Sequence, residues 1–162
     1  MSSISFTIMG EVKGKMRPKA TTFAGHARVY TPSAQIKNEN WIKMEYLKAA
    51  EKENFQGFGD NPIQIEIYHY MKVPTSFSKK KVAKALSGDL LPTKKPDLDN
   101  ITKTILDALN GIAFDDDKNI VRIEAFKKYA TRDFTTIYLS TYPEELSLPS
   151  INIDENDGEL CL

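Results

Sequence analysis

Between residues 97 and 117 the chain gathers carboxylates at spacings that can converge. They are Asp97, Asp99 and Asp107, then the run Asp115-Asp116-Asp117, with Lys103 among them. Carboxylate oxygens are the ligands Mg²⁺ prefers, and Mg²⁺ commonly binds together with phosphate. Asp97 and Asp99 can aim at one spot across a first helical turn, where free N–H groups and the positive dipole end favour anions. The chemistry on offer is metal-assisted attack on a phosphate ester. A plainer use competes with it: Asp is a good helix cap, and Asp99–Lys103 and Lys103–Asp107 are i, i+4 pairs. The second acidic run tips the reading toward a metal. Close carboxylates repel and raise one another's pKa unless a cation neutralises them.

Other chemistries lack their residues. His26 and His69 lie far apart and in no HExxH pattern, and neither a phosphate-binding GxxxxGK[ST] loop nor a GxGxxG turn occurs. Asp115-x-Asp117-x-Asn119 starts like a calcium loop, but Ile120 stands where glycine is needed and Phe126 where glutamate is needed. The single cysteine, Cys161, has no internal partner.

The acids need a scaffold, and its elements can be read from periodicity. A helix from about residue 98 to 110, closed by Gly111, sets Leu98, Ile101, Ile105, Ala108, Leu109 and Ile112 toward a sheet. Asp99, Lys103, Asp107 and Asn110 then share the opposite flank. Ile4, Phe6 and Ile8 alternate, which predicts a half-buried strand over 3–9. Residues 10–25 read as a basic loop, and residues 27–30 as a short strand. Thr31 and Pro32 read as the cap and first residue of a helix reaching about residue 52, with Ile36, Trp41, Met44 and Leu47 as its apolar stripe. A strand follows over 62–71 on Ile63, Ile65 and Ile67, then a short basic helix over 79–86 opened by Ser76 or Ser78. Residues 121–129 and 135–142 read as two strands joined as a hairpin. The order β-β-α-β-α-α-β-β predicts an α+β fold, a mixed sheet packed with helices. One domain is expected over 1–142, and a partly flexible acidic tail over 143–162.

The formal net charge of zero conceals a split. All 22 Lys and Arg precede residue 133, against 15 of the 22 acids, so residues 1–132 carry +7 and the remainder −7. A basic body with a local acidic cluster suits a phosphate polymer and a bound cation, although +7 also serves solubility alone. No run approaches the roughly 20 apolar residues of a membrane span, and the start of the sequence lacks the features of a secretory signal. A cytoplasmic location is the expectation.

The string Asp97-Leu98-Asp99-Asn100-x-x-Lys103-x-x-x-Asp107-Ala108-Leu109-Asn110-Gly111, followed by Asp116-Asp117-Lys118-Asn119-Ile120-Val121, resembles the RusA family of Holliday junction resolvases. These are small bacterial and phage-borne endonucleases. A strand ending at Gly10, a loop with Lys15, Arg17 and Pro18, and Val29-Tyr30-Thr31-Pro32 before a helix extend the likeness to about residues 4–141.

The resemblance implies Asp97, Asp99 and Asp117 as metal-binding catalytic aspartates and Lys103 as the catalytic lysine. Asp107 matches a recurrent family position. Three consecutive acids leave the register of the third aspartate open between Asp115 and Asp117, with Asp117 favoured because it directly precedes Lys118-Asn119-Ile120-Val121. The family further implies Mg²⁺ dependence (Mn²⁺ as a substitute), a homodimer and four-way DNA as substrate, in recombination, repair or phage DNA processing. Lys13, Lys15, Arg17, Lys19, Arg28, Lys94 and Lys95 are the candidate contacts to DNA phosphates. A nuclease for flaps or forks and a non-catalytic junction-binding protein are the alternatives.

Overall fold

A computed structural model describes residues 2–23 and 26–143. The acidic tail from residue 144 lies outside the described residues, as do the side chains of Phe23 and Arg28. Six strands and three helices are present among the described residues: β1 (Ser3–Met9), β2 (Lys19–Phe23), β3 (His26–Tyr30), α1 (Ser33–Glu53), β4 (Ile63–Lys72), α2 (Lys79–Ser87), α3 (Leu98–Leu109), β5 (Ile120–Ala130) and β6 (Phe134–Thr141). A single 3₁₀ turn, Asp117–Asn119, leads directly into β5.

The main sheet runs β1-β6-β4-β5, with β4 and β5 parallel and the other two pairs antiparallel. This is the mixed α+β architecture expected. The hairpin expected between β5 and β6 does not form. Strand β4 lies between them, pairing with β5 on one side and β6 on the other. The physical reason is burial: β4 hides Ile63, Ile65, Ile67 and His69 and takes one of the two interior places, where both edges are hydrogen-bonded. The three-residue link after β5 is fastened to the end of β4 instead. Val73 N–H donates to the Ala130 carbonyl (3.0 Å), and Lys72 N–H donates to the Asp133 carboxylate (2.8 Å). A second correction concerns the basic loop, whose distal part is strand β2. It pairs with β3 from Lys19↔Tyr30 to Phe23↔His26 in a separate two-stranded sheet.

The helices cover one face of the main sheet. Ile4, Phe6, Ile8, Ile65, Ile67, Ile137 and Leu139 point inward to meet Ile42 and Tyr46 of α1 and Ile101, Ile105, Ala108 and Leu109 of α3. Helix α1 departs from its expected stripe. Ile36, Met44 and Leu47 are about half exposed, and α1 buries Gln35, Asn38, Ile42 and Tyr46 instead. Two polar residues can occupy that face because each amide both accepts and donates a hydrogen bond, as described below.

His69 shows the burial of a titratable group in this core. Its ring is 2% exposed, and Nδ1 lies 2.8 Å from the Thr135 hydroxyl on the neighbouring strand. Burial, helped by the charge of Lys127 and opposed by Asp133, lowers its pKa from 6.5 to about 4. The folded state therefore keeps a neutral imidazole while the unfolded chain takes up a proton below about 6.5. Stability contributed by His69 is complete above pH 6.5 and is lost as pH falls toward 4, by up to about 3 kcal/mol. Urea unfolding at pH 7.5 and 4.5 should show this loss in the wild type and a smaller one in His69→Gln. Equal losses would refute it.

Candidate active site

Helix α3 and the start of β5 carry the acids. Asp97 occupies the cap position of α3 in extended conformation, yet its side chain makes no capping bond. The helix is instead started by the Asp97 carbonyl, which accepts from Ile101 N–H (3.1 Å). The plain capping role that Asp97 could have had is therefore not used. On the other element, Asp116 caps the 3₁₀ turn, its carboxylate accepting from Lys118 N–H (3.1 Å). That hydrogen bond, together with the adjacent Lys118 ammonium, holds the Asp116 carboxyl below its ordinary pKa. Asp117 follows and turns to α3.

Asp99, Lys103, Asp107 and Asp117 line one hollow of about 440 Å³, with Leu98, Leu106 and Ala125 as its apolar wall. The i, i+4, i+8 spacing puts the three α3 residues on one stripe, and the β4–β5 crossover brings Asp117 opposite. Asp97 lines an adjoining hollow of about 320 Å³ with Glu11, Lys13, Lys15, Lys95 and Asn100. A roomier hollow of about 530 Å³ lies between Tyr68, Tyr70, Phe134 and Tyr138, with Glu53 of α1 also in its lining. It lacks a lysine beside its carboxylates.

The donor set suits a hard cation. Mg²⁺ is typically bound through one or two carboxylates, with water and substrate phosphate completing its shell. Asp99 and Asp117 offer that in a shared hollow. Among the described residues no group of three acidic, histidine or cysteine side chains is close enough to hold a metal by itself.

The basic loop is built onto this site by α1. Asn38 accepts from Lys13 N–H (3.3 Å) and donates to the Lys13 carbonyl (2.8 Å), while Gln35 accepts from Met16 N–H (3.0 Å) and donates to Glu39 (2.7 Å). Lys15 N–H donates to the Asn100 carbonyl of α3 (3.0 Å). Gly14 permits the approach: a Cβ there would meet Asn100 Cβ at 3.1 Å and Pro96 Cβ at 3.3 Å. The Lys15 ammonium bridges Glu39 (3.0 Å) and Asp107 (2.5 Å). Burial works against that charge, but the hydrogen bonds to Asp107 and Glu39 outweigh it and hold the pKa above the ordinary lysine value. Lys15 thus has its charge engaged within the protein, whereas Lys13, Arg17, Lys19, Lys94 and Lys95 are exposed. Arg28 falls on β3. The further basic run of α2 is exposed as well, and Phe77 beside it packs edge-on against Tyr129 with the Lys81 ammonium 4.0 Å over its ring.

Gln35, Asn38, Glu39 and Lys127 were not singled out by sequence. Each acts through contacts distant in the chain, and polar residues on a long helix or strand give no local sign of that. Gln35→Ala should cost about 1–3 kcal/mol, because a part-buried backbone N–H loses its partner, and should weaken DNA binding by freeing the loop. Urea unfolding and DNA titration check this, and wild-type values in both would count against the loop's anchorage.

The fold is a small α+β domain in which a helix N-terminus and a strand start bring acidic residues together. The model of the family described as endodeoxyribonuclease RusA matches residues 9–140. An uncharacterized protein of Bacillus subtilis (strain 168), YqaN, is 31% identical over 132 residues, spanning 80% of this chain and 90% of that protein. The chain belongs to the RusA family of endodeoxyribonucleases. No described helix is long and apolar enough to cross a membrane.

Proposed function

We propose that the chain is a Mg²⁺-dependent endonuclease that resolves four-way DNA junctions as a homodimer, by paired hydrolysis of opposed strands. The observation that supports this most is the convergence of Asp99, Lys103, Asp107 and Asp117 in one hollow, beside a second hollow lined by Asp97 and three lysines.

In this reading Asp99 and Asp117 hold the metal, with Asp97 at its margin. The bound ion would supply an activated water and a polarised phosphate. Lys103, one helical turn beyond Asp99, donates to the phosphoryl oxygens as negative charge builds on them. Lys15 neutralises Asp107, so that this carboxylate repels an incoming phosphate less. Lys13, Lys94 and Lys95, with Arg17, Lys19 and Arg28, take the flanking phosphates. Such contacts add affinity and register but little sequence information. A two-fold dimer would present one site to each of two opposed strands of a two-fold symmetric junction.

The test is a substrate panel with labelled four-way junction, flap, fork and duplex, in Mg²⁺ or EDTA. Junction cut in Mg²⁺ far faster than the others supports the proposal. Preference for flaps or forks would move the chain to another branched substrate. Junction binding without cleavage under Mg²⁺ or Mn²⁺ would make it a non-catalytic binder.

A further inference from the structure

Nothing in the catalytic account uses Lys127, yet its contacts are specific. It lies within β5, the strand that begins immediately after Asp117–Asn119. Its ammonium donates to the Lys94 carbonyl at 2.9 Å and to the Pro96 carbonyl at 3.0 Å. The segment that receives these bonds connects α2 to α3 without helix or strand, and two prolines, Pro92 and Pro96, reduce its own donors. Among the described residues, the backbone groups of residues 91–96 have no other hydrogen bond. The Pro96 carbonyl is one peptide unit from Asp97. The acidic pair at the head of α3 and Asp117 thus sit on two separate elements. Lys127 ties the approach to one of them onto the strand that extends the other.

We propose that Lys127 is a positioning residue, which fixes the 94–96 segment against β5 and so sets Asp97 and Asp99 relative to Asp117. The inference rests on the nuclease reading for its catalytic consequence, although the tie itself is independent of it. A lysine is suited to the task because one ammonium can serve two carbonyls that face it from different directions. A direct DNA contact is a different role. Two of the three ammonium donors are already turned to the protein, and a phosphate contact would appear as weaker binding with a smaller salt dependence.

The test uses the full chain as wild type, Lys127→Met, Lys127→Gln and Lys127→Arg, each first checked for cooperative thermal unfolding. One readout is independent of nuclease activity: the rate at which trypsin cuts the native protein between Lys94 and Lys95, followed by mass spectrometry. Trypsin must engage the very carbonyl that Lys127 holds, so cutting should accelerate about tenfold in Lys127→Met, less in Lys127→Gln, and little in Lys127→Arg. The other readout is single-turnover junction cleavage. Lys127→Met should cut about tenfold more slowly and need about threefold more Mg²⁺ for half-maximal rate, with junction affinity in EDTA within about twofold of wild type and substantial rescue by arginine.

Wild-type nicking and wild-type cleavage in both Lys127→Met and Lys127→Gln would overturn the proposal. So would weakened junction affinity with nicking unchanged, which would make Lys127 a phosphate contact. A wild type that cuts no DNA would remove the catalytic consequence and the nuclease reading together, and the trypsin comparison would still decide whether the tie exists.

Discussion

Asp99→Asn should lower Mg²⁺-supported junction cleavage by roughly 10²–10³-fold or more, the scale on which one preorganised electrostatic group contributes to a transition state. It should leave junction affinity in EDTA within about twofold. The expectation follows from where the side chain stands. Asp99 is exposed in the first turn of α3, lines the hollow shared with Lys103, Asp107 and Asp117, and has no role in the core. Asparagine keeps its shape and can still accept, but it removes the charge that the proposed mechanism uses to hold a cation. Asp117→Asn should act in the same direction. Asp115→Asn should have little effect, since Asp115 does not line the hollow. Asp116→Asn should be intermediate, because the capping oxygen survives in the amide while its charge is lost. Gel assays of cleavage and binding across these four variants check the set. An active Asp99→Asn, or an inactive Asp115→Asn beside an active Asp117→Asn, would place the acidic centre elsewhere.

Ile105→Ala should destabilise the fold by about 2–5 kcal/mol, through lost burial and the cavity left behind. Ile105 is fully buried at the middle of α3, among the inward residues of the sheet and of α1. For a chain of this size that corresponds to a fall in Tm of roughly 5–15 °C. The contrast is Met44→Ala on α1. Met44 is 55% exposed, and its loss should change stability by less than about 0.5 kcal/mol. Urea or thermal unfolding separates the two. A near-neutral Ile105→Ala, or a Met44→Ala as costly as it, would mean that α1 and α3 pack by other faces.

That contrast marks the boundary of what could be read from the chain. Helix α3 was legible because Ile101, Ile105, Ala108 and Leu109 keep helical spacing and the acids occupy the remaining flank. Strands β1 and β4 were legible because buried isoleucines alternate with polar residues. Helix α1 stands where its periodicity predicts it but turns a different face to the core. Its apolar residues suggest a stripe through Ile36, Met44 and Leu47, but the buried face includes Gln35 and Asn38, which bond the backbone of a loop some 20 residues earlier. Local periodicity carries no information about such a partner. The β5–β6 link is short enough for a hairpin, and only the competition of β4 for both neighbours decides against it.

The candidate site divides the same way. The acids and Lys103 were visible as types and spacings, and the helix explains why three of them share a stripe. The hollow occupied by Asp97, the capture of Lys15 by Glu39 and Asp107, and the tie from Lys127 are tertiary facts. They depend on how α1, α3 and β5 are set against one another.

The central claim, that this is a metal-dependent enzyme cutting both opposed strands of a branched junction, is tested most directly by mapping cleavage. A mobile four-way junction labelled in turn on each of its four strands would be incubated with the wild-type protein and Mg²⁺, and the products resolved to the nucleotide. Nicks at symmetry-related positions on two opposed strands, absent in EDTA, are the predicted result. An intact junction in Mg²⁺ and Mn²⁺ despite saturating binding, or nicks scattered without symmetry, would contradict it.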